Sequence, residues 1–355
     1  MKKCRAGYKL FIGALCIMTV VIARAQPAAG KAVNKILRTY NNLKNEKLAI
    51  TNEYGDVEIR TWEKKQVQIN ITIVAEAKTK MAAKKLAERV MIKDTRDNGE
   101  ITCATYIEGT DTATVSKDTG AFEKCTVTYM VYLPADLALK IKDQFGNIKM
   151  GDFAGHLEID EKFGDVTAGS LKFIDTLHLE LGSMYIKNIY NGKLAAKGFG
   201  AIKIDTISGD VHTTFSAGKI VDIGLINGSY TFSIDADNIR GINLNCAKAL
   251  LANITINTKL TKFINESALV MTEVDNPEKD RQPKKNKDSL DMLIAKHDKN
   301  IPGRATVDSS KVKLLTLKKL AELAFLKKSQ QFHGLSGDGS AVVRINVAFS
   351  VLKLK

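Results

Sequence analysis

The chain has 355 residues, 45% of them hydrophobic and 6% aromatic, with 53 Lys or Arg against 39 Asp or Glu and a formal net charge of +14. That length and apolar share exclude a wholly disordered chain. The excess charge is local: residues 1–25 hold five basic residues and no acid, residues 277–330 hold fourteen basic against seven acidic, and residues 26–276 hold 31 of each sign. No basic groove runs along the middle of the chain, which argues against nucleic acid as a partner.

Lys2, Lys3, Arg5 and Lys9 precede an apolar run from Leu10 to Ala23 and the small-x-small sequence Ala23-Arg24-Ala25. This is the pattern of an export signal over 1–25 with cleavage before Gln26. Fourteen apolar residues fall short of the roughly 20 that span a bilayer. Leu15 stands where lipid attachment at Cys16 would want a small residue.

Residues 31–44 read as a short helix, and Lys47 to Ile59 alternates as strand, ending in Tyr54-Gly55-Asp56-Val57. Val67 to Ala75 alternates again, and Thr79 to Ile92 has helical character with Ala83, Leu86, Ala87 and Val90 on one face. Ile101 to Tyr106 and Lys124 to Tyr132 read as the two strands of a hairpin, stopped by Pro134. Cys103 and Cys125 are equidistant from the midpoint of its loop, so a disulfide between them is expected in an exported protein, with Cys246 left as a buried free thiol.

From 135 onward one phrase recurs every eighteen residues: Phe145-Gly146, Phe163-Gly164, Leu181-Gly182, Phe199-Gly200 and Ala217-Gly218, each followed two residues later by Ile148, Val166, Met184, Ile202 or Ile220. A fixed short period predicts a stack in which each unit buries its apolar face on its neighbours. The expected fold is all-β, a parallel β-solenoid of about eighteen-residue coils with an N-terminal mixed β and helix cap. In it the aromatic before Gly fills an inward column and Gly supplies the φ for a corner. A second inward column takes Trp62, Phe153, Leu171, Ile189 and Ile207. The residues after each Gly (Asn147, Asp165, Ser183, Ala201, Lys219) show no common chemistry and read as ordinary surface.

Periodicity ends after Asn276. Residues 277–287 are almost free of apolar side chains and read as a disordered insert. Leu314 to Lys328 reads as a basic amphipathic helix that caps the stack or touches an acidic lipid surface. Phe349 to Leu354 matches Phe199 to Ile204 column for column, returning the chain to the solenoid. The domain plan is therefore a signal peptide over 1–25, a cap module over 26–134, the solenoid over 135–276, a basic insert over 277–333 and closing strands over 334–355.

No catalytic, cofactor-binding or metal-binding set emerges. His156, His178, His212, His297 and His333 lack zinc-motif spacing and read as surface residues. The Gly-Asp pairs at 55–56, 164–165 and 209–210 lack the dense nonapeptide repeat of calcium rolls. Asp160, Glu161 and Asp165 are the only acids placed to tempt a glycosidase assignment.

Asn52 to Val57 with Trp62, the Tyr132-Leu133-Pro134 step, the stacked Phe-Gly-Asp-Val copies and the segment Gly334 to Leu354 together resemble the adhesin-type domains of exported bacterial proteins, including those likened to auto-transporter adhesin heads. The likeness covers 47–276 and 334–355. It implies a β-solenoid in the periplasm, outer membrane or cell surface, binding an envelope protein or glycan, with no catalytic residues to carry over. A carbohydrate-active β-helix enzyme is the alternative, and a scaffold binding through the basic insert is a third.

Overall fold

The computed structural model describes residues 30–41, 43, 45–108, 123–225, 230–247, 250–274, 329–336, 339 and 341–355. The expected signal peptide, the 277–287 insert and the 314–328 helix lie outside them. The described chain is mostly β, with one helix among the described residues, and its strands join into one open sheet.

The first element corrects an expectation. Residues Gly30–Asn41 form a strand (β1), not a helix, because all twelve residues pair antiparallel with Gln66–Ala77 (β4). Ala32, Ile36 and Tyr40 are half-buried against the core. That i, i+4 spacing suits a helix as well as every second strand position, so the sheet edge decided it. Between them lie Lys47–Glu53 (β2) and Val57–Thr61 (β3). The helix Lys80–Glu88 (α1) begins at Thr79, whose Oγ1 accepts from Ala82 N, and it buries Ala83 and Ala87.

Val90–Asp97 (β5) and Glu100–Ile107 (β6) form an antiparallel pair, and Lys124–Leu133 (β7) pairs antiparallel with β4 and parallel with β3. β6 and β7 are therefore not the two arms of a hairpin. Cys103 lies opposite Asp94 and Ile50, Cys125 lies opposite Ala75, and Cys103, Cys125 and Cys246 are free thiols. The expected disulfide is absent because β4 and β5 take the edges that a hairpin would have joined.

The repeats then stack in parallel. Ala138–Gln144 (β8) and Ile148–Met150 (β9) pair with β2 and β3 on one side. On the other side come Phe153–Lys162 (β10) and Val166–Glu180 (β11), then Met184–Lys197 (β12), Ala201–Ile207 (β13), Val211–Leu225 (β14) and Thr231–Cys246 (β15). Val166 lies opposite both Ile148 and Met184, and Met184 opposite Ile202, which reproduces the eighteen-residue period in space. These four residues are buried, as are Phe153, Leu171, Ile189 and Ile207.

Past β15 the order in space departs from the order in sequence. Ala252–Lys259 (β16) and Lys262–Asn265 (β17) do not follow β15 directly. Ala341–Ala348 (β20) and Val351–Leu354 (β21) lie between, β20 pairing with both β15 and β16, and β21 with both β15 and β17. Thr272–Glu273 (β18) and Gln330–Leu335 (β19) add an antiparallel pair on the outer side of β16.

Candidate functional site

In the first four turns the residue before Gly faces outward, contrary to expectation. Tyr54, Phe145, Phe163 and Leu181 are 38 to 49% exposed. Tyr54 stacks on Phe145 (5.2 Å, 7°) and Phe145 on Phe163 (4.9 Å, 10°), so one aromatic ladder runs along an edge of the stack. These four residues, not the glycines, carry the left-handed backbone, with φ between 57° and 63°. That conformation costs a non-glycine residue about 1–2 kcal/mol. It is offset by N–H groups that close onto the next repeat: Phe145 N donates to Lys162 O, and Phe163 N to Glu180 O, both at 2.9 Å.

Gly is required for a different reason. A Cβ on Gly146, Gly164 or Gly182 would overlap the carbonyl oxygen of Gly55, Gly146 or Gly164 in the preceding turn. The pattern shifts at Gly198, which takes the left-handed φ of 66° itself and releases Phe199 into the core at 2% exposure, edge-on to Phe215.

The residues after each Gly share a role that their identities conceal. Asp56 Oδ1 accepts from Asn147 N (3.0 Å), Asn147 Oδ1 from Asp165 N (3.1 Å), Asp165 Oδ1 from Ser183 N (2.7 Å) and Ser183 Oγ from Ala201 N (3.4 Å). Each side chain is an acceptor for the backbone of the next repeat. The signal was available as a column of Asp, Asn and Ser, all turn-capping residue types.

Trp62 is half-buried rather than in the core. Its Nε1 donates to Gln66 O (2.8 Å), while Tyr132 (5.3 Å) and the Lys64 ammonium (4.7 Å) lie against its ring. It pins the turn between β3 and β4.

The three acids do not converge. Glu161 points inward and is fully buried, Asp160 points outward with Oδ1 3.5 Å from His178 Nδ1, and Asp165 caps Ser183. Among the described residues no group of three or more His, Cys, Asp or Glu is placed to hold a metal ion.

One outward hollow gathers side chains of different chemistry. It has a volume of about 400 Å³ and lies where β10, β11, β12 and β14 run side by side. His156 stacks on Phe173 (5.5 Å, 17°) and its Nδ1 meets Asp175 Oδ1 at 2.9 Å. The register places Asn191 beside Phe173 in the next repeat, and Gly192 follows it without a side chain. Lys193 lies opposite His212, whose Nδ1 meets Ser233 Oγ at 2.6 Å. Lys193 and His212 also border a second hollow of about 350 Å³ that includes His178, so one groove crosses several repeats. All three histidines between 135 and 276 stand along it, as expected on the surface.

Residues 45–241 match the family model described as Toastrack DUF4097. The chain belongs to that family. No curated protein matches this Toastrack chain. Among solved structures, it is similar to a proposed cell adhesion protein from Clostridium sporogenes (8% identity, 91% of this chain and 99% of that one, TM-score 0.22). It is also similar to a proposed adhesin from Bacteroides fragilis (16%, 60% and 94%, TM-score 0.29). A third is a proposed lipid-binding protein from Parabacteroides distasonis (11%, 60% and 90%, TM-score 0.27). At these scores the likenesses carry no argument about this Toastrack chain's ligand.

Proposed function

We propose that this is a non-enzymatic, exported cell-envelope protein of adhesin type, in which a rigid β-solenoid of eighteen-residue coils presents the groove around Phe173 to a glycan. The observation that carries the ligand class is the mixture of side chains in the groove. One exposed aromatic ring stands among a carboxylate (Asp175), an amide (Asn191) and an ammonium (Lys193). A pyranose offers a CH face to such a ring and hydroxyls to such polar groups, whereas an acyl chain would leave the polar wall unpaired. A few placed polar groups around apolar area are what fix a small ligand's orientation. The non-enzymatic reading is supported by the separation of Asp160, Glu161 and Asp165, since sugar hydrolysis needs an acid and a base across one cleft.

The test is a panel of envelope polysaccharides and peptidoglycan offered to the protein beginning at Gln26, the start that N-terminal sequencing of the exported form should give. Saturable binding without turnover, weakened at least tenfold by Phe173→Ala or Asp175→Asn, is expected. Binding untouched by both substitutions would move the site elsewhere. Turnover abolished by Asp160→Asn would promote the enzyme reading.

A further inference from the structure

Directly beneath the aromatic ladder the core holds two carboxyl groups that no described residue pairs with. Asn52, Asp143 and Glu161 occupy one column, since Asn52 pairs in register with Asp143 and Asp143 with Glu161. All three are at most 3% exposed. Among the described residues, neither oxygen of Asp143 and neither oxygen of Glu161 has a hydrogen-bond partner. The next residue in the column is Leu179, which offers none.

Asn52 shows what this column position demands. Its Nδ2 donates to Gly55 O (2.7 Å) and Val127 O (3.0 Å), and its Oδ1 accepts from Thr105 Oγ1 (3.1 Å). The position thus faces carbonyl oxygens and requires a donor. The same crowding recurs one and two repeats on. Asp143 Oδ2 and Gly55 O border the space beside Gly146, and Glu161 Oε1 and Gly146 O border the space beside Gly164. An ionised carboxylate facing a carbonyl oxygen is repelled; a protonated one has the donor that Asn52 has.

We propose that Asp143 and Glu161 are held as neutral carboxylic acids that hydrogen-bond the turn carbonyls beneath Tyr54, Phe145 and Phe163, so that this edge of the stack is a proton-gated element that loosens as pH rises. The surroundings agree. Burial is the main cause that pushes Asp143 up to about 7, with the charge of Asp56 adding to it and the nearby Asn52 amide and Gln144 N–H, neither in hydrogen-bond geometry, pulling the other way. Burial pushes Glu161 up to about 9, reinforced by the charges of Asp143, Asp160, Asp165 and Asp56. From the facing strands come Thr105, Tyr129 and Cys103, all neutral: burial raises the Cys103 thiol to about 11 and raises the Tyr129 hydroxyl beyond the working range.

The sign follows. Both folded values exceed the unfolded ones, 3.8 and 4.5, so the stabilisation is complete below about pH 4 and is lost as pH rises through about 7 for Asp143 and about 9 for Glu161. Each released proton then costs up to about tenfold in the closed-to-open ratio per pH unit.

Hydrogen exchange of the full chain, corrected for the intrinsic pH dependence, tests this on the amides of Phe145, Phe163 and Leu181. Protection should fall by at least tenfold between pH 6 and pH 9, and Asp143→Asn with Glu161→Gln should remove that fall. An identical fall in wild type and double variant overturns the proposal. So does protection restored at pH 9 by calcium and removed by a chelator, which would make the missing neutraliser a cation. Carbon-13 titration of the wild-type side-chain carboxyls needs no variant: two resonances that keep their protons above pH 6 support the proposal, and carboxyls fully ionised at pH 5 refute it.

Discussion

Replacing Gly164 by Ala separates steric closeness from backbone freedom at the repeated turn. Gly164 has no left-handed φ, so alanine is conformationally acceptable there. Its Cβ would nevertheless overlap Gly146 O and come within 2.5 Å of Glu161 Oε1, neither of which is the free end of a flexible side chain in open space. The turns must separate, straining Phe145 N to Lys162 O (2.9 Å) and Ile148 N to Asp165 O (2.9 Å). Overpacking costs about 1–3 kcal/mol and each weakened buried hydrogen bond about 1 kcal/mol more, giving roughly 3–4 kcal/mol. Gly200 is the internal control: its Cβ would meet the Ser183 hydroxyl at 2.9 Å and the Gly182 carbonyl oxygen at an ordinary 3.8 Å, and Gly200→Ala should cost under about 1 kcal/mol. Phe163→Ala keeps the left-handed φ and loses a half-exposed ring stacked on Phe145, worth about 1–2 kcal/mol with its partial burial. Urea unfolding with unchanged m-values measures all three. Gly164→Ala no worse than Gly200→Ala, or Phe163→Ala costing the 3–5 kcal/mol of a core aromatic, would refute this account of the turn.

Asp165→Ala should destabilise by about 1 kcal/mol by removing the acceptor of Ser183 N, and Asp165→Asn should recover most of the loss, both read from the same unfolding curves. In the folded protein Cys103, fully buried with its thiol raised to about 11, should resist alkylation at pH 8; after unfolding without reductant Cys103, Cys125 and Cys246 should all react, and a Cys103 that stays blocked would restore the disulfide. Gly198→Ala should cost about 1–2 kcal/mol through its left-handed φ, with Gly198→Asn cheaper, and a neutral Gly198→Ala would contradict the shift of the turn at that repeat.

The eighteen-residue period gave the column correctly for Ile148, Val166, Met184 and Ile202, which are buried and aligned, but not for Ile220, which is 43% exposed because Val221 takes the place opposite Ile202. It failed at the corners, because a period shows which residues stack but not whether the stack faces in or out. Phe163 and Phe199 occupy the same sequence position, yet one is exposed and the other buried, because the left-handed corner falls one residue earlier in that repeat, on Gly198, after a register shift between β11 and β12. The acceptor role shared by Asn147, Asp165 and Ser183 was legible only as a column of turn-capping residue types, because hydrogen-bond geometry, not one residue identity, is what repeats. The buried state of Glu161 was legible only in part: inward alternation with Leu157 and Ile159 marks it, but the usual exposure of Glu outweighs that signal. The groove around Phe173 was not legible, since its residues come from four strands.

The placement of β20 and β21 sets the order in which the molecule is built. Asn346 donates to Asp235 on one side and accepts from Asn257 on the other, 111 and 89 residues distant. Growth of the stack from residue 138 can therefore advance only as far as β15. β16 and β17 are made next but have no seat there, and they wait as unpaired edges until residues 341–354 arrive to fill the gap. Loop closure over such separations is slow, so these last repeats are expected to close late, together with residues 341–354. Until then the exposed flank of β15 is the place where this chain is open to pairing with another.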